Sequence, residues 1–481
     1  MRPPRLHRFA RGGKRYAVDA ETGFCFECDA ISWDVLDHYP DANVNRIYAL
    51  LAEKHARREL EEVIGELEWL RATKAILPAP KATEIEKQFA LERGLARLSM
   101  RWPMDSEALG PAALNLLLGR AGMQQRLRLR VHLAPTQLLD SALETLHADA
   151  VAAAQLGGRQ VDVELCIENV AEGHKSLMPH RLHAVIPLPS GAHSEDAWAA
   201  LRRMNARKLD SLFSMLDHAV CAVLEPAGGS WAACVSTLRK LGARHIEIDL
   251  RAAIARHVRG SFAGLYSDLE KVTETYARDL LEGELYRLEP VASLFNRIHR
   301  GEARPRSDGT GLHELAVDER GGIFASPLWL GHATHRVGSL VPAAMDEALL
   351  ARYEDIGAAT TPACMTCWAR NICGGGDAVV HETLSGSFRV PQTAWCNAQR
   401  QWIECAIAAF SQLSAHGMDF SQLHAAMGRA RKPSFLQLAR AALRTRIGVR
   451  PLAEADAPML QRWENWNDAA YFTATEQGLL L

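Results

Sequence analysis

Residues 362–376 read Pro362-Ala363-Cys364-Met365-Thr366-Cys367-Trp368-Ala369-Arg370-Asn371-Ile372-Cys373-Gly374-Gly375-Gly376, and a fourth cysteine, Cys396, follows. The spacing is Cys-x2-Cys-x5-Cys, with residues 374–395 before the last thiol. Packing alone gives no reason for so tight a run. Four soft thiolates suit zinc or an iron-sulfur cluster, and the spacing does not choose between them. The triple glycine bears on either choice. Without Cβ atoms it lets the backbone pass close to a bulky group and aim amide N–H groups at sulfur.

The other six of the ten cysteines give no disulfide framework, because a chain without a secretory start is expected to stay in the cytoplasm, where thiols are reduced. The opening Met1-Arg2-Pro3-Pro4-Arg5 lacks an apolar signal region, and no run of eighteen apolar residues occurs. A formal net charge of -2 supplies no basic field for nucleic acid, and membrane association has no segment to carry it. With 481 residues, 48% of them hydrophobic and 23% charged, the chain is expected to fold into two to four globular domains.

Upstream of the cysteines the pattern alternates. Residues 95–103, 127–134, 161–167, 182–186, 219–224 and 245–249 read as extended, and 106–119, 136–155, 194–216 and 230–241 as helical. Strands that alternate with helices of that length imply parallel βαβ units, closing into an open or partial (β/α) barrel. Before them, short extended pieces at 6–9, 15–19 and 24–28 precede a helix over 56–77, in which Leu60, Val63, Ile64, Leu67 and Leu70 recur at helical spacing. After them come a hairpin at 319–322 and an amphipathic helix over 397–415.

The run Ala363-Cys364-Met365-Thr366-Cys367-Trp368-Ala369-Arg370-Asn371-Ile372-Cys373-Gly374-Gly375-Gly376 resembles the SPASM (auxiliary-cluster) domain of radical SAM peptide maturases, most closely those of quinohemoprotein amine dehydrogenase and related thioether-forming systems. The resemblance implies one 4Fe-4S cluster on Cys364, Cys367, Cys373 and Cys396, with zinc as the alternative occupant. A second cluster of that family is not implied, because Asp377 and Ser326 stand where two of its cysteines belong. The catalytic Cys-x3-Cys-x2-Cys triplet is also missing after the first barrel strand, and His132-Leu133-Ala134-Pro135 replaces the stretch that contacts the methionyl amine. S-adenosylmethionine is therefore not an expected cofactor.

Residues 5–77 resemble the RiPP recognition element, a winged-helix module related to the pyrroloquinoline quinone chaperone, on the stretch Tyr16-Ala17-Val18-Asp19-Ala20-Glu21-Thr22-Gly23-Phe24-Cys25-Phe26-Glu27-Cys28-Asp29. That resemblance implies strand addition of a precursor's leader peptide along Phe24, Cys25, Phe26, Glu27 and Cys28, with Arg57 and Arg58 meeting its acidic residues. Cys25 and Cys28 themselves read as packed strand residues. The expected order is a PqqD-like domain (5–80), a degenerate radical SAM-like barrel (91–305), a SPASM domain (311–415) and a tail (429–481). The expected role is that of a non-catalytic partner that presents a precursor peptide to an active modifying enzyme; the alternative is an enzyme of altered, non-radical-SAM or auxiliary-cluster chemistry. His132, His332, His335 and His381 read as packed or surface histidines. Trp368, Trp395 and Trp402 are expected to wall the cluster from water.

Overall fold

The computed structural model describes residues 6–78, 94–102, 107–133, 141–167, 181–187, 220–225, 231–240, 245–248, 250, 262–300, 304, 306, 309–354, 356–418 and 420. Three strands, β1 (Leu6–Arg11), β2 (Lys14–Asp19) and β3 (Cys25–Cys28), pair antiparallel in that order. Three helices follow: α1 (Ala30–Val35), α2 (Val44–Leu51) and α3 (Arg57–Ala72). Period-two alternation divides the side chains of this sheet between two cores. Ala17, Phe24, Phe26 and Cys28 pack on the helices through Val35, Ile47, Leu60, Val63 and Leu67. Phe9, Tyr16, Val18 and Cys25 face the other way, into a core shared with Trp368 and Ile372. Cys25 and Cys28 thus belong to different cores, as residues three apart on a strand should.

The turn that joins β2 to β3 is held by one buried carboxylate. Asp19 accepts from the Glu21 and Thr22 amides at 2.9 and 2.8 Å and from the Leu77 amide at 2.8 Å, which ties the end of the helical layer to the sheet. Burial pushes the Asp19 carboxyl up, and these N–H donors pull against it.

Among the described residues the second sheet has eleven strands. β4 (Arg97–Arg101), β5 (Arg126–Leu133), β6 (Gln160–Ile167), β7 (Arg181–Pro187), β8 (Val220–Glu225), β9 (His245–Ile248) and β10 (Arg287–Glu289) lie side by side in chain order, all parallel. Right-handed crossovers that step always in one direction put their helices on one face. That face carries α4 (Leu109–Gly119) and α5 (Ser141–Gly157), which cover Leu98, Met100, Leu129, Val131 and Val163. It also carries α6 (Trp231–Lys240) and α7 (Phe262–Leu281), which cover Ile246 and Ile248. The free edge of β4 takes β11 (Glu314–Val317) in parallel, and β12 (Gly322–Phe324), β13 (Arg336–Ser339) and β14 (Ala344–Met345) continue antiparallel. The sheet is therefore open.

Its other face is polar. Arg97, Ser99 and Arg101 on β4, Arg128, Arg130 and His132 on β5, Asp162, Glu164 and Cys166 on β6, His245 and Glu247 on β9, and Arg287 and Glu289 on β10 alternate with the residues under the helices. A parallel sheet is ordinarily apolar on both sides, so this face lines something other than a second helical layer. Burial alone would lower the Arg130 pKa, yet it is raised, because Cys166, Glu164 and Glu247 favour the cation. On a flat sheet β5 and β9 would stand four spacings, roughly 19 Å, apart. Mutual influence across that gap requires the sheet to curl around its polar face.

The remaining helices are α8 (Val291–Arg300), α9 (Glu347–Glu354), α10 (Pro362–Met365), α11 (Arg370–Cys373), α12 (Ala378–Ser385) and α13 (Thr393–Ala415). The long last helix starts four residues before the expected 397, because the Gln392 side chain accepts the Trp395 amide at 2.7 Å and caps it. α7 adds to the expected elements, although Leu269, Val272, Tyr276 and Leu280 recur there at helical spacing. The expected helix over 194–216, the linker after residue 78, the loops after Trp102 and Leu133, and the tail 429–481 lie outside the described residues.

Candidate metal centre

Cys364, Cys367, Cys373 and Cys396 come from α10, the turn after it, the end of α11 and the first turn of α13. All four line one cavity, together with Gly375, Gly376, Trp395, Gln399 and Arg400; its empty volume, including the part open to solvent, is about 700 Å³. Among the described residues, no three His, Cys, Asp or Glu side chains meet at the spacing of a single ion.

The glycines work differently from the sequence expectation. Gly374, Gly375 and Gly376 all have positive φ, at 79°, 94° and 83°. A Cβ on Gly375 would lie 2.7 Å from the Ala358 amide nitrogen, and one on Gly376 only 2.3 Å from His381 Nε2. Left-handed backbone and close approach to the 357–358 chain and to His381 both demand glycine here. The run folds the chain back so that α10, α11 and α13 share one cavity. One part of the expectation does hold, since the Gly376 amide donates to the Cys373 sulfur.

Electrostatics describe thiols packed against one another. Burial pushes Cys364 up to about 12, with Cys373, Cys396 and Cys367 adding to the push. Cys396 is raised to about 11 by burial and then by Cys373, while Arg400 pulls it back. Burial and Cys367 raise Cys373 against Gly376, Arg297 and Arg304. Thiols that stay protonated because thiolates would crowd one another in a part-buried cavity are donors whose protons a metal centre replaces, and the arginines would offset the remaining negative charge. The donor set fits either occupant named above.

No family model matches the chain, and no curated protein matches it. Among solved structures it is similar to hexahistidine-tagged anSMEcpe with bound AdoMet, at 12% identity and a TM-score of 0.48, over 69% of this chain and 98% of that one. It is also similar to Streptococcus suis SuiB bound to S-adenosylmethionine, at 10% identity and a TM-score of 0.40, over 81% of this chain and 98% of that one. For SuiB bound to precursor peptide SuiA the values are 11%, 0.41, 81% and 98%. Likenesses this distant establish neither a family nor a ligand for this chain.

The five residues between Cys367 and Cys373 are a docking surface for the first domain. Asn371 Nδ2 donates to the Ala20 and Glu21 carbonyls at 2.9 and 2.7 Å, and Arg370 pairs with Glu21. The Trp368 ring stacks on His7 at 4.0 Å, and His7 bonds Glu404 of α13 at 2.8 Å. Of the three tryptophans expected around the thiols, Trp395 alone lines the cavity. Trp368 is taken up by the domain contact, and Trp402 donates to Thr273 on α7 at 2.9 Å. Nothing in the local sequence marked residues 368–371 as a domain joint.

Asp377 and Ser326, the two positions without the cysteine that the resemblance calls for, have other surroundings. Asp377 caps α12 by accepting the Val380 amide at 3.1 Å, and Ser326 is fully buried ahead of a short 3-10 turn. Beyond that turn His335 stacks on Trp329 at 3.8 Å and bonds the Tyr353 hydroxyl at 2.8 Å. Burial lowers its pKa and Glu382, 3.6 Å away, opposes this. A depressed folded value stabilises the protein fully above the unfolded value of about 6.5 and loses that contribution as pH falls through the folded value. His335→Gln is expected to flatten the decline in the urea midpoint between about pH 7.5 and 5; an unchanged slope would place the acid sensitivity elsewhere.

The residues expected to meet a leader peptide lie on or beside β3 and at the start of α3. Phe24, Cys25, Phe26 and Cys28 are buried and Glu27 pairs with Lys14 at 2.9 Å. Arg57 and Arg58 are exposed, but pair along their own helix with Glu61 and Glu62 at 2.9 and 3.3 Å, and Arg57 lies over the Tyr48 ring. Among the described residues no helix is long and apolar enough to cross a membrane.

Proposed function

We propose that this protein serves ribosomal peptide maturation in the cytoplasm as a non-catalytic partner, holding one 4Fe-4S cluster and presenting a precursor leader peptide to a separate modifying enzyme. The observation that carries the proposal is that four cysteines from three helices and one turn line a single cavity, beside residues that clamp the first domain. The cluster is preferred to zinc on the resemblance of the 363–376 run to an iron-sulfur domain, since the four thiols themselves suit either occupant. When bound, such a cluster supplies a rigid crosslink and one-electron redox capacity. Four cysteine donors leave no open iron, which favours a supporting role.

The leader would add to β3, an edge strand of its sheet. Because the Phe24, Phe26 and Cys28 side chains are committed to the domain core, recognition there would run through main-chain hydrogen bonds. Acidic residues of the peptide would compete with Glu61 and Glu62 for Arg57 and Arg58. The PqqD-like and SPASM assignments, and independence from S-adenosylmethionine, belong to the same proposal.

Anaerobic purification with iron, sulfide and zinc analysis, followed by titration with the peptide encoded beside the gene, tests it. Iron and sulfide in equal amounts and saturable binding without any mass change are expected. A zinc-only or metal-free protein, or no affinity for neighbouring peptides, would overturn it. One observation favours the second reading, an enzyme of altered chemistry: the charged face around which the larger sheet curls. A mass shift made on the peptide by this protein alone would decide for that reading.

A further inference from the structure

One short helix touches both the thiol cavity and the first domain. α11 is a single turn, Arg370–Cys373, set between two of the four thiols. A lone helical turn has too few internal hydrogen bonds to offset the cost of ordering it, so its position depends on what grips it from outside. On the cavity side the grip is the thiols, which are joined to one another only when a metal replaces their protons. On the other side Arg370, Asn371 and Ile372 meet the turn between β2 and β3.

That turn is gripped from two directions. Asn371, only 7% exposed, donates to both the Ala20 and Glu21 carbonyls. Arg370 pairs with Glu21 and also donates to the Met365 carbonyl at 2.9 Å, which bridges the Cys364–Cys367 turn to the first domain. Ile372 lies so close to Gly23 that a Cβ there would stand 3.3 Å from Ile372 Cγ1. From the opposite direction Thr22 Oγ1 donates to the Ala75 carbonyl at 2.7 Å, and Asp19 accepts the Leu77 amide. The turn runs directly into β3. The Asp19 amide donates to the Phe24 carbonyl at 2.8 Å, and Cys25, the first residue of β3, packs in the core that holds Trp368 and Ile372. The strand edge offered to a leader peptide therefore starts two residues beyond the contact with Ile372.

We propose that metal in the four-cysteine cavity regulates peptide binding by the first domain. By fixing α11 it holds the 19–24 turn and the start of β3, so the loaded chain binds a leader peptide more tightly than the stripped chain, and bound peptide raises the affinity for metal by the same factor. The proposal rests on the reading above of where metal and peptide bind. α8 keeps its own hold on α11 without metal, since Arg297 donates to the Ile372 carbonyl at 2.9 Å. Loss of metal thus loosens the turn rather than releasing it. The chain would present a precursor only once its own centre is in place.

The test compares the full chain, reconstituted anaerobically with ferrous iron and sulfide, with the same protein stripped by a chelator. Amides of residues 20–26 should exchange hydrogen at least about fivefold faster in the stripped chain, the low end of ordinary coupling between sites, while α4 on the larger sheet keeps its protection. Equal exchange overturns the proposal. So does a loss spread equally over α4, which would make the metal a staple for the whole fold. Asn371→Ala leaves every thiol in place and should retain iron, yet exchange rapidly at the turn with or without it; Glu21→Gln is the milder cut at the same joint should the first variant not fold. A metal-dependent difference undiminished in the variant rules out this joint as the route. The peptide encoded beside the gene should bind the loaded chain at least about fivefold more tightly than the stripped one. A peptide that binds both forms equally sinks the coupling alone, whereas one that binds neither sinks the leader-peptide reading and leaves the exchange difference standing as evidence for the metal's hold on the turn.

Discussion

Cys373→Ser is expected to leave the anaerobically purified protein with more than about tenfold less iron than the parent, because even the loss of an outer-shell partner costs a metal site that much. Cys373 ends α11, receives the Gly376 amide, and stands where the chain turns back through three left-handed glycines. Serine offers a harder oxygen that stays protonated, so one corner of the centre goes unmet. Cys234→Ala is the control, since Cys234 is buried among Trp231, Val235 and Leu238 and does not line the cavity. It should keep its iron. Full iron retention in Cys373→Ser would remove this thiol from the donor set and the cluster assignment with it.

The cysteine cavity was legible in the sequence because its signal is local. Three donors fall within ten residues, and the fourth opens a helix whose pattern is plain. The reason for the glycines was less legible. Their tolerance of positive φ can be read from residue type, but the close approach to Ala358 and His381 is a tertiary fact. The joint made by Arg370 and Asn371 with the 20–21 turn was hidden for the same reason, as its partners are some 350 residues apart.

The polar face of the larger sheet carried a readable sign that is easily passed over. Arg126-Leu127-Arg128-Leu129-Arg130-Val131-His132-Leu133 alternates strictly, and in a parallel sheet with helices on one side such alternation marks a second face of different character.

The same face yields the largest expected change in stability. Glu164 is 2% exposed and accepts from both Nε and Nη2 of Arg130 at 3.0 Å, with Arg128 at 3.9 Å. Glu164→Gln removes the nearest carboxylate from a guanidinium that is only 17% exposed, and breaking a buried pair on one side costs about 3–5 kcal/mol. In urea that is a midpoint shift on the order of 1 M or more. Arg130→Met/Glu164→Leu should recover most of the loss, because the pair's own attraction roughly offsets the desolvation of both ions. Cysteine chemistry plays no part in this difference, so it should persist in metal-free protein. A single variant that unfolds at the parental midpoint would mean that water reaches Arg130 freely, and the inner face would then be an open groove rather than an enclosed, curled wall.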